Sequence, residues 1–329
     1  MPTSDEMNLG IVRIPVPTPF PVGPVNVYLI PGKPVTLIEA GPLTDEAWRT
    51  LGEAVEERGH RLDQVEQVVI THPHQDHCGQ AARVAGAGGA GIVAHRLTRD
   101  YFEDYEEYWR NRAADFTPLM LRMGVPPEVR AVAGRASRWA SKFGTGARIA
   151  RYVDEGEIIR TGAGDFAVLY TPGHARAAIC LHRPQDGLLI SGDTLLKEIS
   201  SNALIEENGQ GNGGYHSLAT YLGTLRRLAA MEFSVILPGH GQEITDHQGL
   251  IRSRLAFHEV RKDTILTEMG ERENTPFEVC RKLFPDLPAA ALFLGLSEVF
   301  GHLEVLEDEG RVVRREDGPT VGFKRVLRG

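Results

Sequence analysis

Short apolar runs, each cut off by glycine, proline or a polar turn, recur through the first two thirds of the chain and read as strands. Residues 11–16, 26–30 and 36–39 form one such series, continued by Val68-Val69-Ile70 and by residues 91–95. A second series begins with Ile149-Ala150-Arg151-Tyr152-Val153 and runs through residues 166–170, 188–190 and 233–236. Helical spacing marks residues 44–58, with Thr44 as a cap before Asp45-Glu46, then residues 80–85, and residues 217–231, opened by Ser217 and expected on an outer face. Between residues 97 and 143 lies a helical insertion. In it Tyr101-Phe102, Tyr105, Tyr108-Trp109 and Phe116 make an aromatic stripe, with Glu103, Asp104, Glu106 and Glu107 between, and Pro126-Pro127 starts a second helix over 128–142. That stripe either packs on the core or forms a lid over a site, and the two are compatible. Past about Asp246 the pattern changes to helices over 248–269, 275–283 and 289–309. A hairpin follows, its arms 311–315 and 322–326 flanking Asp317-Gly318. The glycine-rich residues 208–214 read as a flexible connection without the Lys and Ser/Thr of a phosphate loop.

The polar residues that close these strands carry the chemistry. Directly after Val68-Val69-Ile70 stands Thr71-His72-Pro73-His74-Gln75-Asp76-His77-Cys78-Gly79. In extended chain His72 and His74 point to one side. Asp76 and His77 fall where the next helix begins and can face a second point. Imidazole and carboxylate suit zinc and its first-row neighbours. Three more strands end the same way, in Thr171-Pro172-Gly173-His174, Ser191-Gly192-Asp193-Thr194 and Leu237-Pro238-Gly239-His240-Gly241. One His or Asp after a strand is usually a turn or cap; the repetition after a cluster of three histidines is the signal.

These motifs resemble the metallo-β-lactamase-fold superfamily over roughly residues 9–245. The resemblance implies an α/β fold, a four-layer αβ/βα sandwich with two metal ions at the edge between its sheets. Carried over, His72, His74 and His174 would hold one ion, Asp76, His77 and His240 the other, and Asp193 would bridge both. Lactam-hydrolysing members generally have Cys or Ser at the position of Asp193; a carboxylate there resembles the glyoxalase II, lactonase and phosphodiesterase branches. Two departures stand out. Glu39, in Leu37-Ile38-Glu39-Ala40-Gly41, replaces an acid of the family that orients a ligand histidine, with one extra methylene to reach it. Ala175-Arg176-Ala177-Ala178 replaces the usual Thr-Pro-Gly-Ser beside the metals. The last part resembles a winged helix, so the domains expected are 1–245, catalytic with its insertion at about 97–143, and 246–329.

A chain of 329 residues with 42% hydrophobic and 24% charged residues has the composition of a globular protein. Its net charge of −8 supplies no field for nucleic acid or an acidic membrane. No apolar run reaches membrane-helix length and no leader pattern opens the chain, so a cytoplasmic enzyme, as monomer or homo-oligomer, is expected. Three scattered cysteines make no disulfide framework, and Cys78 reads as a packed residue rather than a ligand.

The mechanism expected is hydrolysis by a metal-bound hydroxide on two Zn2+ ions, with Fe or Mn as alternatives, and Asp76 accepting a proton. Tyr215, His216 and Tyr221 are the pocket candidates, against surface placement as the plainer fate of each. The favoured substrate is a small ester, thioester or lactone. A phosphodiesterase or endoribonuclease is the runner-up. It leans on the basic wing of Arg311, Arg314, Arg315, Lys324, Arg325 and Arg328, for which a charge-protected hairpin edge is the commoner explanation. A non-hydrolytic redox or sulfur-oxidising member is third, weakened because no flavodoxin or rhodanese extension is present.

Overall fold

A computed structural model describes residues 9–206, 215–316 and 318–327, apart from the side chains of 113–115. The glycine-rich stretch 208–214, Asp317 of the hairpin turn and Arg328 of the wing lie outside the described residues. Six strands form the first sheet: β1 (Val12–Val16), β2 (Val25–Ile30), β3 (Thr36–Ile38), β4 (Gln67–Ile70), β5 (Gly91–His95) and β6 (Arg151–Val153), paired in that order. The first two pairings are antiparallel and the rest parallel. The second sheet holds β7 (Ile158–Thr161), β8 (Gly164–Tyr170), β9 (Ile179–Arg183), β10 (Leu188–Gly192) and β11 (Val235–Pro238), in the order β11-β10-β9-β8-β7.

Period-two alternation explains why the runs at β4 and β10 are apolar throughout. Val69 enters the core between the sheets while Val68 and Ile70 enter the core beneath the helices. Leu188 and Ile190 likewise face the first sheet, whereas Leu189 faces the helices on the far side. Helices α1 (Asp45–Glu56), α2 (Gln75–Cys78) and α3 (Ala81–Gly88) follow the early strands. The Thr44 hydroxyl accepts from Ala47 N–H at 3.1 Å, the cap read from sequence. Ala47, Leu51 and Val55 of α1 and Val84 of α3 are fully buried on the first sheet, the three larger side chains contributing roughly 1.5–3 kcal/mol each. With the helix over residues 217–229 on the second sheet, the layers run helix, sheet, sheet, helix.

The insertion forms α4 (Arg99–Glu103), α5 (Tyr105–Arg122) and α6 (Pro127–Ala140). Its aromatic stripe divides. Tyr101, Phe102 and Tyr105 are buried against the first sheet's helix-side core, while Phe116, Met120 and Met123 join the C-terminal core. Helix α7 (Ser217–Ala229) covers the second sheet, and α8 (His247–Met269), α9 (Pro276–Leu283), α10 (Leu292–Asp308) and the hairpin β12 (Val312–Arg315)–β13 (Gly322–Arg325) complete the chain. Sequence inspection found no span of membrane-helix length, yet Ala289–Asp308 has that length with a mean hydropathy of 1.5. The Glu and His residues scattered through it hide the pattern from a search for unbroken apolar runs, and most of the segment is buried in the protein.

One carboxylate on α10 makes folding stability depend on pH. Glu304 is 9% exposed and lies 3.7 Å from His216 Nε2 and 3.8 Å from Arg314. Burial pushes its carboxyl up to about 7 against the pull of His216 and Arg314. A folded pKa above the unfolded value means stability that is complete below the unfolded carboxyl range and is lost as pH rises through about 7. Glu304→Gln is therefore expected to stabilise the protein at pH 8 by up to about 3 kcal/mol and to be nearly neutral at pH 4.5. Thermal unfolding at the two pH values checks this; an equal shift at both would remove the titration as its cause.

Candidate metal centre

All the polar loops converge because their strands present carboxyl ends to one edge of the sandwich. Ile179 N–H donates to Thr71 O at 2.9 Å and Gly239 N–H to Gly192 O at 2.8 Å, tying the loops to one another. His74 is the extended residue before α2, so Asp76 and His77 turn with the helix while His72 and His74 stay on the strand-like side. Gly192 takes a φ of 48° and a Cβ there would lie 2.3 Å from Thr71 Oγ1, so this junction admits only glycine.

Three sets of donor atoms lie within 4.8 Å of one another: His72, His74 and His174; Asp76, His77 and His240; and Glu39, His72 and His77. His174 Nε2 and His74 Nδ1 face each other at 3.0 Å. The Asp193 carboxylate sits between the first two sets, 3.7 Å from His174 Nε2, 3.3 Å from His77 Nε2 and 3.7 Å from His240 Nε2. Asp76 lies 3.3 Å from His240 Nε2.

The outer ring nitrogens are occupied. His174 Nδ1 contacts Asn202 O at 2.9 Å, His240 Nδ1 contacts Pro24 O at 2.8 Å and His72 Nδ1 contacts Thr71 Oγ1 at 3.0 Å. Donation to those carbonyls fixes the tautomer and leaves a lone pair on Nε2 aimed inward. Buried inward atoms without a hydrogen-bonding partner include His72 Nε2, His77 Nε2, His240 Nε2 and Asp193 Oδ1. Buried polar atoms are rarely left unpaired. Several converging on one volume, with an all-nitrogen-and-oxygen donor set, fit metal ions.

The electrostatics divide the cluster: burial works against protonation of His77 and His240, yet Asp193 and Asp76 hold both rings above the ordinary imidazole range. Burial drives His72 far below its usual range and His74 down to about 3, so both rings are neutral donors. Burial would push Asp193 up, but His77, His240 and His174 around it hold it well below the carboxylate range. Burial likewise opposes ionisation of Asp76, and His77 and His240 outweigh it. The cluster is thus built around two carboxylate anions. Cys78 points away, its buried thiol pushed up by desolvation beside Tyr101.

Glu39 does reach the site. Its carboxylate accepts from the Thr71 hydroxyl and lies 3.4 Å from His77 Nδ1. Its backbone takes a φ of 66°, rare for a residue with a side chain. The pocket candidates fare differently. His216 turns to the C-terminal helix, 3.4 Å from Asp308 Oδ2. Tyr221 is buried and donates to Thr194 O at 3.0 Å, so it supports the loop after Asp193. Tyr215 stays close, its ring under the Arg176 guanidinium at 5.7 Å.

Sequence reasoning missed the support from residues 201–205. Ser201 Oγ donates to Asp193 O at 2.5 Å, and Asn202, whose carbonyl holds His174, donates its side-chain amide to Leu294 O of α10 at 2.8 Å. Helix α10 therefore braces the residue whose carbonyl holds His174. No local motif marks such a contact, which spans 92 residues of sequence. Beside the cluster opens a cavity of about 710 Å³, walled by Pro73, Arg176 and Ala177 on the metal-loop side and by Tyr101, Tyr108 and Phe116 of the insertion. The insertion thus both packs on the core and walls the cavity.

The family model of the metallo-beta-lactamase superfamily matches residues 20–240. Probable metallo-hydrolase YqjP of Bacillus subtilis (strain 168) is 36% identical over 320 residues, 97% of this chain and 98% of that protein. A hydroxyacylglutathione hydrolase of Cereibacter sphaeroides is 27% identical over 167 residues, 49% of this chain and 42% of that one. A metallo-beta-lactamase family protein from Thermus thermophilus has a solved structure that matches with a TM-score of 0.83 at 27% identity, covering 96% of this chain and 99% of its own. The chain therefore belongs to the metallo-beta-lactamase superfamily and is a metal-dependent hydrolase.

Proposed function

We propose that the protein hydrolyses small acyl substrates, thioesters foremost and esters or lactones beside them, at a centre of two metal ions. One ion is assigned to His72, His74 and His174, the other to Asp76, His77 and His240, and Asp193 to both. The observation that carries this is the Asp193 carboxylate lying within 3.7 Å of imidazole nitrogens from each set. Zinc suits the imidazole-rich set, with Fe or Mn as alternatives. The thioester preference is supported by the partial match to a hydrolase named for an acylated glutathione, which is a thioester.

Two such ions would supply Lewis-acid polarisation of a bound carbonyl and offset the charge developing on its oxygen. The chain's own groups do the rest. Asp76, ionised against His77 and His240, accepts the proton released by the attacking water. Glu39 and the Asn202 carbonyl keep His77 and His174 from rotating. The cavity takes the acyl portion of the substrate. RNA is not proposed, because the net charge is −8, and Arg311 and Arg314 of the wing are paired with Asp263 at 2.6 Å and Glu307 at 2.8 Å. The winged-helix-like nature of 246–329 and a cytoplasmic location remain part of this proposal.

Metal-reconstituted protein is expected to hold about two ions per chain by elemental analysis, since one tetrahedral site uses only about four donors. One ion or none would count heavily against the binuclear centre. The substrate class is tested with the reconstituted protein on matched thioester, ester, lactone and phosphodiester substrates. Turnover of the phosphodiester alone would overturn the proposal.

A further inference from the structure

Four arginines line the cavity beside the metal centre, and they are not alike. Arg96 is ion-paired with Asp154, and Arg99 with Glu103 at 2.8 Å. Arg112 and Arg176 have no carboxylate within 4.0 Å among the described residues, and both are half-buried. The Arg112 guanidinium is caged by rings, 5.9 Å from Trp109, 5.6 Å from Phe116 and 5.7 Å from Phe293, with one hydrogen bond of 3.4 Å to the Tyr108 hydroxyl. Among the described residues that leaves most of its five N–H donors unmet in a partly dry setting. Arg176 lies over Tyr215 and reaches the cavity two residues after His174.

We propose that Arg112 and Arg176 form an anion-binding end of this cavity, selecting acyl substrates that carry a carboxylate remote from the scissile bond. The proposal rests on the hydrolase reading above and names the substrate class of that site. A planar guanidinium fork matches a carboxylate in two parallel hydrogen bonds, and the aromatic cage keeps the Arg112 fork oriented. Glu206 is the acid that feels both arginines. It accepts from the main-chain N–H of Arg176 at 3.0 Å, and burial raises its pKa against the pull of the two side-chain charges, so two cations face one weakened anion. Asp100, Asp104 and Glu107, exposed along the same cavity, disfavour a polyanion and leave room for one compact charge. Leu97, Leu119 and Ile205 supply apolar wall for the methylenes between.

The closing experiment compares the N-acetylcysteamine thioesters of glutarate and pentanoate, which share chain length and differ in a terminal carboxylate. With the metal-loaded full chain, kcat/KM is expected to favour the glutaryl compound by about 10-fold or more, through KM. Arg112→Met and Arg176→Met should each move that ratio toward one, and Arg112→Lys should keep part of it. A pentanoyl preference, or a ratio untouched by both Met variants, overturns the proposal. If neither thioester turns over, the thioesterase reading fails separately. Calorimetric binding of the glutaryl amide then decides the subsite: binding abolished in both Met variants upholds it, and absent or unaltered binding rejects it.

Discussion

Asp76→Asn is expected to lower kcat by about 100-fold or more while the fold survives. The substitution keeps the planar shape and removes the negative charge, and shape is not what the site needs from this residue. Asp76 lies 3.3 Å from His240 Nε2 and 3.9 Å from His77 Nε2. Burial works against its ionisation, yet those two rings hold its carboxyl below the ordinary range. The local structure therefore maintains an anion where a neutral acid would be easier to bury. An amide there can neither balance the cations of the centre nor take a proton. The ion assigned to His77 and His240 should also bind more weakly, whereas His72, His74 and His174 are untouched. Metal content is thus expected to fall toward one ion per chain, with far-UV circular dichroism unchanged. Near-normal turnover by a fully loaded Asp76→Asn protein would sink the role assigned to this carboxylate.

Much of the fold was legible because its strands are buried on both faces and its polar loops fall at strand ends. Val68-Val69-Ile70 reads as a strand from its residue types alone, and the alternation of Val69 against Val68 and Ile70 divides two cores. The helix expected over 275–283 is α9, opened by a capping box of Thr275 and Glu278. The gathering of seven side chains from four loops was legible only through motif resemblance, since spacing along the chain says nothing of which strand ends meet. What stayed hidden has physical causes. Asn202 braces His174 with a main-chain carbonyl, and every residue type has one. His216 has the chemistry of a pocket residue, but its direction is decided by Glu304 and Asp308, far off in sequence. The pairing of Arg311 and Arg314 with acids of α8 and α10 could not be read from a list of basic residues.

Gly239→Ala is expected to dismantle the metal centre without touching a donor atom. A Cβ at Gly239 would lie 2.3 Å from Asp193 Oδ1 and 2.7 Å from His77 Cε1. Neither neighbour is a flexible surface chain. Asp193 is 7% exposed and His77 is fully buried, each fixed by the rest of the cluster. The backbone cannot recoil either, because Gly239 N–H is bonded to Gly192 O at 2.8 Å and Gly239 O accepts from Asn26 N–H at 2.7 Å. The methyl group must therefore displace Asp193, the carboxylate that lies between the two sets of imidazoles. Overpacking of this kind typically costs about 1–3 kcal/mol of stability. The larger effect is on function, where loss of metal and a fall in turnover of about 100-fold or more are expected, since the displaced groups are those that hold the ions. Gly223→Ala in α7 is the matched control. A Cβ there meets nothing within 4 Å, and an exposed helical glycine exchanged for alanine should gain about 0.5–1 kcal/mol with activity intact. Two bound ions and unimpaired turnover in Gly239→Ala would mean that Asp193 does not occupy the place between the two histidine sets.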